Sequence, residues 1–114
     1  MAIYSELFKS GELVKRAEAA NALLRNCQLC PHQCNVNRVI SELGHCRTPD
    51  LAAVASYGPH FGEEMPLVGD KGSGTIFFTN CNLSCVYCQN YTISQHGEGT
   101  YVNKNRIAEM MLSL

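Results

Sequence analysis

With 114 residues and a formal net charge of -1, the chain has the size of one ordinary domain with a modest core, and it lacks the basic excess needed to neutralise nucleic-acid phosphates. The opening stretch MAIYSELFKSGELVKR interrupts its apolar residues with charges every few positions, which excludes a secretion-signal core and a membrane span and makes the cytoplasm the expected location. Seven cysteines is a high and odd count for this length, so they are read as candidate metal-binding or redox thiolates rather than as a disulfide scaffold.

Taken in chain order, apolar residues at Leu13, Val14, Ala17, Ala20, Leu23 and Leu24 predict an amphipathic helix from Glu12 to Asn26, with Ser10 as its N-cap. The stretch from Cys27 to Cys46 contains Pro31 and Gly44 and has no sustained period, so it is expected to be a loop organised around its own thiolates. A short strand is predicted over Leu51 to Tyr57, ended by Gly58-Pro59. Gly69 to Gly74 reads as a flexible turn. Its glycines lack the Gly-Lys-Ser/Thr ending of a phosphate-binding loop, and they precede a strand rather than a helix. Thr75 to Thr79 is β-branched and aromatic, and its continuous apolar run predicts a buried strand of a parallel sheet.

After this strand comes the triplet Cys81, Cys85 and Cys88, then a polar segment from Gln95 to Thr100. Ile107, Met110, Met111 and Leu114 repeat at helical spacing, with Asn103 or Asn105 available as a cap. This last pattern has no stop signal, and a strand followed by a crossover helix is half of a unit that needs a second parallel strand. The chain is therefore expected to be a fragment of a longer α/β protein.

The triplet carries most of the chemistry. Thiolates are soft anionic donors suited to iron and zinc. A closed structural zinc site or an electron-transfer cubane cluster wants four protein ligands, and the triplet supplies three, Cys81, Cys85 and Cys88. It therefore points to a cluster with one iron open to another molecule, or to a structural metal site that takes a fourth ligand such as His96 or an N-terminal cysteine. Cys27, Cys30, Cys34 and Cys46 form a separate set that could close a site by itself, holding zinc or an auxiliary iron-sulfur cluster, or could be plain reduced thiols. His32 and His45 lie within that stretch and either substitute for a cysteine or cap backbone groups. His60, Glu63 and Glu64 form an acid/base constellation on paper, against the simpler reading of a solvated loop.

The triplet, with Tyr87 just before its third cysteine, resembles the signature of the radical S-adenosylmethionine (radical SAM) superfamily. The run CQLCPHQCNVNR, then GHCRTP, then HFGEEMPLVGDKGSGTIFFTNCNLSCVYCQN, is similar to pyruvate formate-lyase activating enzyme-like members, and the resemblance runs from about Tyr4 to about Ile107. It implies a 4Fe-4S cluster on Cys81, Cys85 and Cys88, S-adenosylmethionine as co-substrate, and reductive cleavage of that molecule to a 5'-deoxyadenosyl radical. It also implies a position near the bound adenine for Tyr87, which could equally be a core aromatic. An electron donor such as flavodoxin or ferredoxin, and a glycyl radical enzyme as protein substrate, are the implied partners.

The expected fold is α/β: residues 1-68 form an N-terminal helix and Cys-rich region, and residues 69-114 form the first β/α unit of a truncated radical SAM partial (β/α)6 barrel. Such proteins usually hold the methionine amino group at a Gly-Gly-Glu-like strand end, which this sequence lacks. These residues alone are thus expected to hold a cluster without completing an S-adenosylmethionine pocket, and to be inactive. The competing expectation is a small non-catalytic zinc or iron-sulfur binding module.

Overall fold

The computed structural model describes residues 3-114. Two helices open the chain, α1 (Ile3–Lys9) and α2 (Glu12–Ala22), followed by a 3-10 turn at Leu23–Asn26. The amphipathic helix of the sequence reading is therefore present, but its final turn tightens. Gly11 occupies the N-cap in the left-handed conformation, φ 75°. Ser10 sits one residue too early to be the cap, and its hydroxyl instead accepts a long bond from the Glu12 N–H at 3.4 Å. The Cys27–Cys46 stretch is loop apart from a second 3-10 turn, Arg38–Ile40.

A three-stranded sheet follows, built from β1 (Ala52–His60), β2 (Ser73–Phe78) and β3 (Thr100–Val102) in the spatial order β2-β1-β3. Helix α3 (Met65–Val68) lies between β1 and β2, helix α4 (Tyr91–Ser94) between β2 and β3, and α5 (Lys104–Ser113) ends the chain. Both strand pairs are antiparallel. Val54 faces Phe78 on one side and Thr100 on the other, and the β1–β2 register slips by a bulge between Val54 and Ser56.

This arrangement corrects the expected fold. The described residues contain no β/α barrel unit, and the strand at Thr75 to Thr79 belongs to an antiparallel sheet, not a parallel one. The connection over residues 61-72, with α3 inside it, brings the chain back beside the end of β1, where Ser73 pairs with His60, so β2 runs antiparallel to β1. The apolar run of β2 also misled on burial, for no residue of the strand is buried and Phe78 is 50% exposed. Gly58-Pro59 does not end β1. The β3 pairing covers only Ala52 to Val54, so beyond that point β1 has a free edge, where a proline without an N–H is tolerated. The sheet is assembled across residue 68, with β1 before it and β2 and β3 after it.

The core is thin. Ala53, Val54, Val68 and Met110 are buried, with Cys27 and the polar Thr79, and among the described residues no large side chain is wholly enclosed. Met110 is the one buried residue of α5. Helix α5 starts where the sequence reading placed its cap, with the Asn103 side-chain carbonyl accepting from the Arg106 N–H at 2.9 Å. Replacing Asn103 with alanine is expected to cost about 1 kcal/mol, read as a lowered denaturant midpoint with an unchanged slope. Among the described residues, no helix is long and apolar enough to cross a membrane.

Candidate metal centre

The triplet loop hangs between the end of β2 and the start of α4, and its base is fixed by Thr79. That residue is 4% exposed; its N–H donates to the Ala53 carbonyl at 2.8 Å, and its hydroxyl bonds the Ile93 carbonyl. Asn80 N–H donates to the same Ile93 carbonyl at 2.8 Å, which closes the loop where it leaves the sheet. Inside the loop, the Leu83 N–H points at Cys81 Sγ, 3.4 Å away. Cys88 N–H turns back to the Cys85 carbonyl at 3.3 Å, which also accepts from the Gln95 side-chain amide at 2.7 Å. Cys88 Sγ lies 3.2 Å from the Ser94 hydroxyl.

All seven cysteines are free thiols, and Cys81, Cys85 and Cys88 are each half-buried. Among the described residues, no three Cys, His, Asp or Glu side chains converge as a group that could hold a metal ion, so the three sulfurs share a loop without sharing a centre.

The N-terminal set is stitched together by its backbone. Cys27 N–H donates to the Val36 carbonyl and Asn35 N–H to the Cys27 carbonyl, both at 3.0 Å, which lays Cys27 beside the segment that follows Cys34. A turn from Cys30 to Gln33 carries Cys30 and delivers Cys34 directly after it, and another from Gly44 to Arg47 carries Cys46. Cys34 Sγ accepts from the His45 N–H at 3.4 Å, and it lies so close to Gly44 that a β-carbon there would be 2.8 Å from the sulfur.

Cys27 is the most enclosed thiol, 8% exposed. Its pKa is lowered, chiefly by a hydrogen bond from the Leu29 backbone; burial opposes this, and the hydrogen bond and charge of Arg38 reinforce it. Arg38 reaches the sulfur at 3.9 Å and spends its other nitrogens on the Pro49 carbonyl, at 3.1 and 2.7 Å.

A thiol whose pKa is depressed by folding stabilises the fold at pH above its unfolded value, and that contribution is lost as pH falls through the folded value. Replacing Arg38 with alanine is expected to move the titration of Cys27 only part of the way back, because the Leu29 N–H remains. Losing the paired bonds to Pro49 should cost about 1.5–3 kcal/mol. Alkylation of Cys27 against pH, resolved by peptide mass spectrometry, and denaturant unfolding check the two parts.

Backbone conformation marks both cysteine regions. Among the described residues, Gln33, Asn35, Ser41, Arg47, Asn80 and Ser84 are the non-glycine residues with positive φ, and all except Ser41 adjoin a cysteine. Each carries a conformational cost that ordinary loops avoid.

The two regions meet. His32 and His45 stack with ring centroids 3.8 Å apart and planes inclined by 20°. His32 Nε2 donates to the Asn82 carbonyl at 2.7 Å, and His45 Nε2 lies 3.4 Å from the Ser84 hydroxyl. Arg47 bonds the Gln95 carbonyl, while its own carbonyl accepts from the Asn80 side chain at 3.4 Å. His32 therefore caps a backbone group, one of the two roles its sequence allowed. That the capped group belongs to the triplet loop had no signal in the local sequence, because the partners are 50 residues apart.

Tyr87 is 88% exposed, which rules out the core-aromatic reading. His60 Nδ1 lies 3.3 Å from Glu63 Oε1 in an exposed pair, and its ring meets Phe77 edge-on at 5.5 Å. His96 stands edge-on to Tyr91 at 4.5 Å. A cavity of about 580 Å³ opens between α2, the start of β1 and the start of α5, where Glu18, Arg25, Asp50 and Lys104 bring both signs of charge; no cysteine lines it.

Over 90 residues, 79% of its length, the chain is 42% identical to the uncharacterized protein MJ0674 of Methanocaldococcus jannaschii. It spans 25% of that protein's length. No protein-family profile matches the chain. No solved structure matches it.

Proposed function

We propose that this chain is the cluster-binding portion of a radical SAM protein, with Cys81, Cys85 and Cys88 as ligands to a 4Fe-4S cluster. One observation supports the reading: three unbridged, half-buried cysteines on a single loop whose base is fixed to the sheet and whose backbone bends through left-handed Asn80 and Ser84. The donor set fits such a cluster, because the sulfurs are soft, none is consumed in a disulfide, and three leave one iron for a further ligand.

When bound, such a cluster supplies one-electron reductive cleavage of S-adenosylmethionine to methionine and a 5'-deoxyadenosyl radical. The chain's own residues hold and orient. Leu83 N–H and the Ser94 hydroxyl steady two of the sulfurs, Gln95 ties down the loop at Cys85, and the exposed ring of Tyr87 offers an apolar face to an adenine. At the level of the whole protein, the reading takes a flavodoxin or ferredoxin as electron donor and a glycyl radical enzyme as protein substrate.

The test is anaerobic reconstitution of the full-length protein, followed by absorbance and electron paramagnetic resonance with and without S-adenosylmethionine. The expected result is an iron-sulfur signal that changes when the nucleotide is added. A cluster signal indifferent to it would sink the assignment.

A second metal site on Cys27, Cys30, Cys34 and Cys46, for zinc or an auxiliary cluster, is the other reading, supported by four unbridged thiols in one loop stretch, the Cys27 thiol among them lowered in pKa. Metal analysis separates the readings. Stoichiometric zinc without iron would instead make the protein a non-catalytic zinc module.

A further inference from the structure

We infer that His32 and His45 are positioning residues for the triplet loop, a stacked pair through which the N-terminal cysteine stretch holds the segment between Cys81 and Cys85. The inference rests on the cluster reading for its functional meaning but not for its geometry. Only two residues inside that three-residue interval, Asn82 and Ser84, are bonded from outside the loop, and both partners are these histidines.

Because a carbonyl can only accept, the bond to Asn82 fixes a proton on His32 Nε2. The second ring, stacked at 3.8 Å, limits where the first can turn. Ser84, the residue His45 reaches, is in the left-handed region at φ 52°, so the clamp acts at a conformation the loop would not hold cheaply by itself. Arg47 extends the same contact to the far end of the loop through the Gln95 carbonyl, and Gln95 in turn holds the Cys85 carbonyl at 2.7 Å.

The histidines alternate with the N-terminal cysteines: His32 lies between Cys30 and Cys34, and His45 immediately precedes Cys46. Whatever orders that stretch, including a metal on its four cysteines, therefore also orders the loop that carries the triplet. The bonds are exposed to water, so the clamp shapes the loop without dominating the stability of the chain.

The experiment uses the full-length protein carrying His32→Ala, His45→Ala, His32→Gln or Ser84→Ala. Before any iron is added, the alkylation rates of Cys81, Cys85 and Cys88 are followed by peptide mass spectrometry. His32→Ala is expected to raise them by about fivefold, the scale of one lost hydrogen bond, with His45→Ala and Ser84→Ala giving smaller rises. His32→Gln, whose amide can donate to the same carbonyl, should restore the wild-type rate. Equal rates in wild type and in the alanine variants would overturn the clamp, and so would a rise in His32→Ala that His32→Gln fails to reverse.

Iron content and the paramagnetic spectrum are then measured after reconstitution. A wild type that takes up no iron ends the cluster reading while the alkylation result still decides the clamp. A loaded wild type whose spectrum is matched by His32→Ala, with unchanged alkylation, ends the clamp alone.

Discussion

Replacing Cys85 with serine is expected to remove nearly all iron and sulfide retained by the triplet after anaerobic reconstitution, while the folded chain survives. Serine matches cysteine in size, but its hydroxyl is a hard, protonated donor and a poor substitute for a thiolate on iron. Among the described residues, no hydrogen bond is made by the Cys85 side chain. Its anchoring contacts are made by its carbonyl, which receives the Gln95 amide and the Cys88 N–H, and these persist in the variant. The unfolding free energy should accordingly stay within about 0.5 kcal/mol of wild type. The matching replacement of Cys46, outside the triplet, is expected to remove less of that iron, because it reaches the triplet loop only through His45 and Arg47. Colorimetric iron and sulfide assays with a parallel denaturant melt check this, and full retention of iron by Cys85→Ser would remove Cys85 from the ligand set.

A large effect on stability is also expected at Gly99. It sits where the chain enters β3, and a β-carbon built there would lie 2.9 Å from the Val54 carbonyl oxygen, 3.1 Å from the Val54 carbonyl carbon and 2.8 Å from Thr79 Cγ2. Val54 cannot yield, for it is a backbone site in the central strand, paired with Phe78 on one side and Thr100 on the other. Thr79 cannot yield freely either, since its N–H and its hydroxyl fix the base of the triplet loop. Gly99→Ala should therefore destabilise by about 1–3 kcal/mol, and valine by more. Because the push falls on Thr79, the same variant should also raise the reactivity of Cys81. A Gly99→Ala protein with wild-type stability and wild-type Cys81 alkylation would show that β3 can shift aside.

How much of this was legible in the sequence varies by element. Helix α5 could be read because its apolar spacing and the Asn103 cap both announce it, and the helical stripe of α2 could be read for the same reason. Helix α1 is hard to read because its seven residues give less than two full periods for Ile3, Tyr4, Leu7 and Phe8 to show a stripe. Strand β3 spans three residues, too short for a period to show. The direction of the sheet was misjudged because a continuous apolar run suggests burial on both faces, whereas the β2 run is partly open to solvent.

In the candidate site, the spacing of Cys81, Cys85 and Cys88 marks the loop that the structure shows between β2 and α4. The contacts that shape that loop come from His32, His45 and Arg47, which are distant in sequence, and local patterns carry no trace of such pairings.

The short overlap in which β1 has neighbours on both sides has a kinetic consequence. Only Val54 is paired on both sides, with Phe78 and Thr100, and Thr79 is tied to the adjoining residue through the Ala53 carbonyl. Their amides should be the last to exchange with deuterated solvent, requiring opening of the whole sheet, whereas amides of the cysteine loops should exchange through local fluctuations. Slow-exchanging amides in the loops and fast ones at Ala53 and Thr79 would reverse that order. Thiols in regions that open without unfolding the sheet can be loaded or emptied of metal while the remainder stays folded. Capture of a metal by this chain would then be a local ordering event, separable in time from the folding of its sheet.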